Sequence, residues 1–269
     1  MSTVSRVRAQ FNSPVVSFYD WMAELSGNWQ PGGSSVIFGR NHSEAYLLAA
    51  QLGVGYARNY GDVSYVVTSA SGRLDDVPLM LGAVAAGIRD DGSARADERS
   101  RAAFLSIRSE LHVHRPRKNP RLADLVSLLR ETDSVPAPRL ILIETFRSLV
   151  LTENDDPDLW QSIAQAIAGS LLSIAKSLGA HLCVVDVQEP AQHTDRFITP
   201  MTLLGRADFA PRPADVDQIV AVVDGEVAIG GRVAPLGRTC DRVQLQWRED
   251  SSQLLVINNL SRPKLRSRN

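Results

Sequence analysis

The chain has 269 residues, 44% of them hydrophobic and 22% charged, which is enough to bury one substantial core and suits one large domain better than two. Its 29 Lys+Arg against 30 Asp+Glu leave a net charge of -1, which excludes a uniformly basic coat and confines any polyanion site to a local patch. Two cysteines, Cys183 and Cys240, suggest neither a disulfide framework nor a Cys-based zinc site; with no apolar run near the ~18 residues of a membrane span and no signal-peptide core at the N-terminus, a soluble, cytoplasmic protein is expected.

In chain order, Val36 to Phe38 is a short apolar run closed by Gly39, and Ala45, Leu48, Ala49 and Leu52 then recur at helical spacing. That predicts strand, loop, helix. Asp62 to Ala70 is rich in β-branched and aromatic residues, and Arg139 to Phe146 is a continuous apolar run interrupted by Glu144, so both predict strands buried on two faces. Helical patterns lie between them at about 74–88, 98–109 and 120–132, while Arg89–Arg101 and Arg130–Pro138 read as surface loops or helix edges. Asp158 to Gly179 is the strongest helix, with Asp158 suited to cap its start and Gly179 its end. "AHLCVVDV" and "DQIVAVVDG" supply two further strands, and "DRVQLQWRED" with "SSQLLVINNL" alternates as a C-terminal β-hairpin. The alternation predicts an α/β fold, a mainly parallel sheet flanked by helices, with Val36–Phe38 and Leu140–Ile143 as neighbouring parallel strands.

Five stretches in this order resemble the C-terminal RecA-like motor domain of DnaB-type replicative helicases. "WQPGGSSVIFGR" is similar to the turn and first strand leading to that family's phosphate loop, and "RLILIETFRSL" to its Walker B strand. The long helix with "HLCVVDVQEP" is similar to the helix and sensor strand, "PADVDQIVAVVDGE" to an Asp-x-Asp segment before a late strand, and "RVAPLG" to an Arg-x-Gly-Pro-x-Gly turn. The resemblance spans about residues 18–262, which leaves 1–17 as an N-terminal arm and 263–269 as a basic tail. It implies a RecA-like, P-loop NTPase-type fold.

A P-loop of pattern GxxxxGK[ST] works because backbone N–H groups wrap phosphate, a lysine neutralises charge and a hydroxyl holds magnesium. The loop here is "GRNHSEAY": only Gly39 matches, and no lysine precedes Lys118. Glu44 puts a carboxylate where phosphate would sit, although it also suits a helix's first turn with Ser43 or His42 as cap. Glu144 falls at the Walker B aspartate, with a longer side chain that would shift a water-mediated metal contact, and Thr68 and Ser69 fall where the family has its catalytic glutamate. Arg232 falls at the arginine that reaches a neighbouring subunit's nucleotide, and Arg40 is the loop's own cation. The expectation is a degenerate nucleotide site at Gly39, Arg40, Ser43, Glu44, Glu144 and Arg232, with no bound cofactor; a working ATPase using ATP and magnesium is the alternative.

Surfaces that face neighbouring subunits or nucleic acid can outlive catalysis. Arg115, Arg117, Lys118 and Arg121 concentrate in "HVHRPRKNPR" after a short apolar strand, a basic loop that can pair with phosphates or be a solvated charge run. Arg196, Arg206 and Arg212 lie where related helicases have a DNA-facing loop, with Phe197 and Phe209 able to stack on bases or pack inward. His112 and His114 could share one strand face and bind metal, but with no third ligand in sight they read as a structural or solvent-facing pair, and no metal site is expected. Three function classes follow: a non-hydrolysing replication or recombination accessory that binds single-stranded nucleic acid or a motor protein; a helicase with a noncanonical pocket; and a structural subunit assembling into an oligomer or ring.

Overall fold

The computed structural model describes residues 29–39, 42–68, 77–88, 93–114, 121–130, 138–153, 159–187, 216–223, 226–230, 242–247 and 254–259. Among these residues nine strands form one sheet: β1 (Ser34–Gly39), β2 (Val63–Val67), β3 (Leu111–His114), β4 (Leu140–Glu144), β5 (His181–Val187), β6 (Gln218–Val223), β7 (Glu226–Gly230), β8 (Arg242–Trp247) and β9 (Leu254–Asn259). Their order is β3-β2-β4-β5-β1-β6-β7-β8-β9. Every pairing from β3 to β6 is parallel, and β7, β8 and β9 continue the sheet antiparallel.

Among the described residues six helices cover the parallel part: α1 (His42–Tyr60), α2 (Val77–Ala86), α3 (Ala94–Ile107), α4 (Leu122–Arg130), α5 (Phe146–Glu153) and α6 (Trp160–Leu178). Successive strand residues point to opposite faces, so each strand feeds two cores. Ile37, Tyr65, Leu142, Cys183 and Val220 pack with α1 and α2 on one side, while Val36, Val66, Ile141, Val184 and Ile219 pack with α4, α5 and α6 on the other. The continuous apolar runs are therefore strands with no wet face.

The expected adjacency of β1 and β4 is corrected. Both are parallel and buried, but β5 lies between them, with Ile141 opposite Leu182 and Val36 opposite Val184. The run Arg139–Phe146 also ends sooner than its apolarity suggests. Thr145 Oγ1 accepts the Ser148 N–H at 3.2 Å, which caps α5 from Phe146 onward. The helix expected at about 98–109 starts four residues earlier, as α3 from Ala94, because Ser93 caps it by accepting the Ala96 N–H at 3.2 Å and Ala96, Ser100 and Ile107 are buried on one stripe. At the other long helix the N-cap is Leu159, with no side-chain cap bond, and Asp158 lies outside the described residues; Gly179 ends the helix at φ 68 as expected.

The amino edge of the sheet is pinned by residues that carried the resemblance. Gln30 to Gly33 form a turn in which the Gly33 N–H donates to the Gln30 carbonyl at 2.9 Å, and Gly32 supplies the φ of 74 that Pro31-Gly32 needs in a type II turn. Trp29 stacks on His181 with ring centroids 4.7 Å apart, and its indole N–H donates to the Gln218 side chain. Asp217 accepts the Ser34 N–H at 2.9 Å, which ties the starts of β1 and β6 together. Among the described residues no helix is long and apolar enough to cross a membrane.

Candidate functional site

In a parallel sheet wound in both directions, ligands bind outside the carboxyl ends of the strands, where connections leave to opposite faces. Here α1 leaves β1 toward one core and α5 leaves β4 toward the other. The edge between them gathers Gly39, Glu144 and Asp186, the terminal or near-terminal residues of β1, β4 and β5.

Gly39 is buried and pairs with Val187 on one side and Val222 on the other, so the chain leaves the sheet from a fixed point. Ser43 and Glu44 follow within the first turn of α1, which begins at His42, so neither His42 nor Ser43 occupies the cap position outside the helix. Arg40 and Arg232 lie outside the described residues, as do Arg115, Arg117, Lys118, Arg196, Arg206 and Arg212, together with Ser69, Phe197 and Phe209.

Glu144 is 1% exposed, and its carboxylate accepts the Tyr65 hydroxyl from β2. Its backbone carbonyl accepts the Thr68 N–H at 2.5 Å, and the Thr68 hydroxyl donates to the Thr145 carbonyl at 2.5 Å. Thr68 thus fastens the ends of β2 and β4. The peptide bond between Glu144 and Thr145 is cis.

Asp186 went unmarked in the sequence, although a lone acid inside "CVVDV" was its signal. It is 8% exposed, faces Phe38 across β1, and its Oδ1 is buried with no hydrogen-bond partner. Burial pushes its carboxyl up to about 7, against the opposing pull of the Arg147 charge and the backbone N–H groups of Val187 and Arg147. Among the described residues no three His, Cys, Asp or Glu side chains group to hold a metal ion.

Arg121 is exposed immediately before α4, where its backbone N–H donates to Asp124 at 2.9 Å and its carbonyl accepts the Asp124 N–H at 3.0 Å. The basic run begins after β3, four strands from β1. At a strand spacing of ~4.8 Å, that separates its root from the Gly39 end by about 19 Å. The structure brings Gly39 and Glu144 to one edge and starts the basic run from another part of it.

The sheet order and the two flanking helix layers define a RecA-like, P-loop NTPase-type fold. The chain is similar to a DnaB-like replicative helicase whose interactions with primase were described, at 13% identity and a TM-score of 0.66, over 94% of this chain and 67% of that one. It is similar to a second solved structure, an ATPase domain, at 14% identity and a TM-score of 0.68 over 95% of each chain. A KaiC-like protein from the hyperthermophilic archaeon Pyrococcus horikoshii matches at 10% identity and a TM-score of 0.60, over 92% of this chain and all of its own. No family model matches the chain and no curated protein matches its sequence.

Proposed function

We propose that this chain is a non-hydrolysing RecA-like accessory in DNA replication or recombination, which binds single-stranded nucleic acid, a partner motor protein, or both. The observation that carries the reading is the chemistry of the carboxyl edge. Phosphate binding there needs a cation and free backbone donors. The edge instead presents the buried carboxyl groups of Glu144 and Asp186, with Glu44 in the first turn of α1 and no lysine in the loop between. Glu144 is engaged by Tyr65 inside the core, and Thr68 brings a hydroxyl rather than a carboxylate to the place where the resembled family has its base for water. These residues do not fit magnesium-bound ATP.

The nucleic-acid surface in this reading is Arg115, Arg117, Lys118 and the exposed Arg121, with Arg196, Arg206 and Arg212 as a second group. Assembly with itself or with a ring of motor subunits would use the flanks of the RecA-like sheet, and the cytoplasm is its place of action. The helicase reading is favoured by one observation, that a solved structure of this shape is an ATPase domain; Arg40 would then stand in for the lysine. Calorimetry with ATP and magnesium, followed by a phosphate-release assay with single-stranded DNA, separates the two. The accessory reading expects neither binding heat nor turnover. Micromolar binding that Arg40→Ala abolishes, together with steady turnover, would replace it with a rebuilt ATPase.

A further inference from the structure

We propose that His112 and His114 form a two-histidine site for a borderline divalent transition-metal ion, best suited to Zn2+, on the outermost parallel strand. This inference is independent of the functional reading above. β3 pairs with β2 and occupies the end of the sheet. Leu111 and Val113 pack into the core beneath α1 and α2. Period-two alternation therefore places both histidines on the opposite face, in register with Ser64 and Val66. A rise of ~3.3 Å per residue sets their Cα atoms about 6.6 Å apart, a span two imidazole arms can close around one ion.

Both side chains are half-buried, and the Nε2 atom of each is buried with no hydrogen-bond partner. A polar nitrogen removed from water without a partner is costly, and such groups call for a bound water or ion. One metal ion would engage both lone pairs at once. Imidazole donors select zinc, copper or nickel over calcium or magnesium. No third His, Cys, Asp or Glu joins the pair among the described residues, so the ion would keep exchangeable positions for water or for a donor from a bound molecule.

Calorimetric titration of the full chain with Zn2+ alone tests the site. One ion should bind per chain and raise the thermal transition. His112→Gln with His114→Gln should weaken binding by at least about tenfold, as loss of ligand support does elsewhere, while His193→Gln leaves it intact. Absence of binding, or binding indifferent to the double variant, overturns the proposal and leaves a bridging water as the partner of both nitrogens. Should the double variant fail to fold, the single variants His112→Gln and His114→Gln give the answer: each must weaken Zn2+ binding, and binding unchanged in both refutes the site.

Discussion

Asp186 and His181 sit five residues apart on β5 and are both displaced from ordinary titration, with opposite consequences for stability. The folded Asp186 carboxyl titrates at about 7 against 3.8 for the free side chain, so the unfolded chain releases this proton first as pH rises. Stability is lost between those values and the loss is complete above about 7. Asp186→Asn should therefore stabilise the protein at pH 8 by about 1–2 kcal/mol and have no such effect near pH 4, as read by urea denaturation. His181 shows the other sign. Burial lowers it to about 4, with Nδ1 donating to the Gln30 carbonyl at 3.0 Å and Nε2 accepting from the Ser35 hydroxyl at 3.0 Å. Its contribution is whole above the unfolded value of 6.5 and is lost as pH falls toward about 4, up to about 3 kcal/mol. Because Asp186 acts in the opposite sense over much of this window, the two are separated by difference: in thermal melts, the gain in stability from pH 5 to pH 7.5 should be smaller in His181→Gln than in the unaltered chain.

At the scale of elements, the tightest contact is between α2 and α3. A Cβ on Gly82 would stand 1.9 Å from the Ser100 carbonyl oxygen, a backbone atom that cannot rotate away. Gly82→Ala should cost on the order of 2–3 kcal/mol in a denaturant titration by prising the helices apart. Elements whose apolar runs were bounded by Gly or Asp, such as β1, β2 and β5, were legible in the sequence. Failures occurred where one signal masked another. Phe146, Leu149 and Val150 prolong the apolar run of β4 yet begin α5, and the charged residues around Ala96 hide the first turn of α3 at 94–97. β7 was missed, although Asp224-Gly225 between two apolar runs is a hairpin signal. Glu144 was visible because it breaks a run; Asp186 was not, because an acid near a strand end resembles an ordinary exit to solvent. Part of the wording that carried the resemblance, Trp29 to Gly33 and Asp217, holds the amino edge of the sheet.

For the whole molecule, the net charge of -1 makes any affinity for nucleic acid depend on where the cations lie. Changing Arg115, Arg117, Lys118 and Arg121 together to alanine should weaken single-stranded DNA binding and reduce the slope of log K against log salt by up to about 3, at roughly 0.7 per phosphate contact. A fluorescence anisotropy series in salt measures both; an unchanged slope would identify the run as a solvated face. The strand order also bears on biosynthesis. β1 has no partner until Leu182 and Gln218 exist, 148 and 183 residues after Ser34 and Ser35. A chain emerging from the ribosome therefore carries this buried strand unpaired through most of translation. Nascent chains stopped before β5 are the forms a chaperone has most reason to hold.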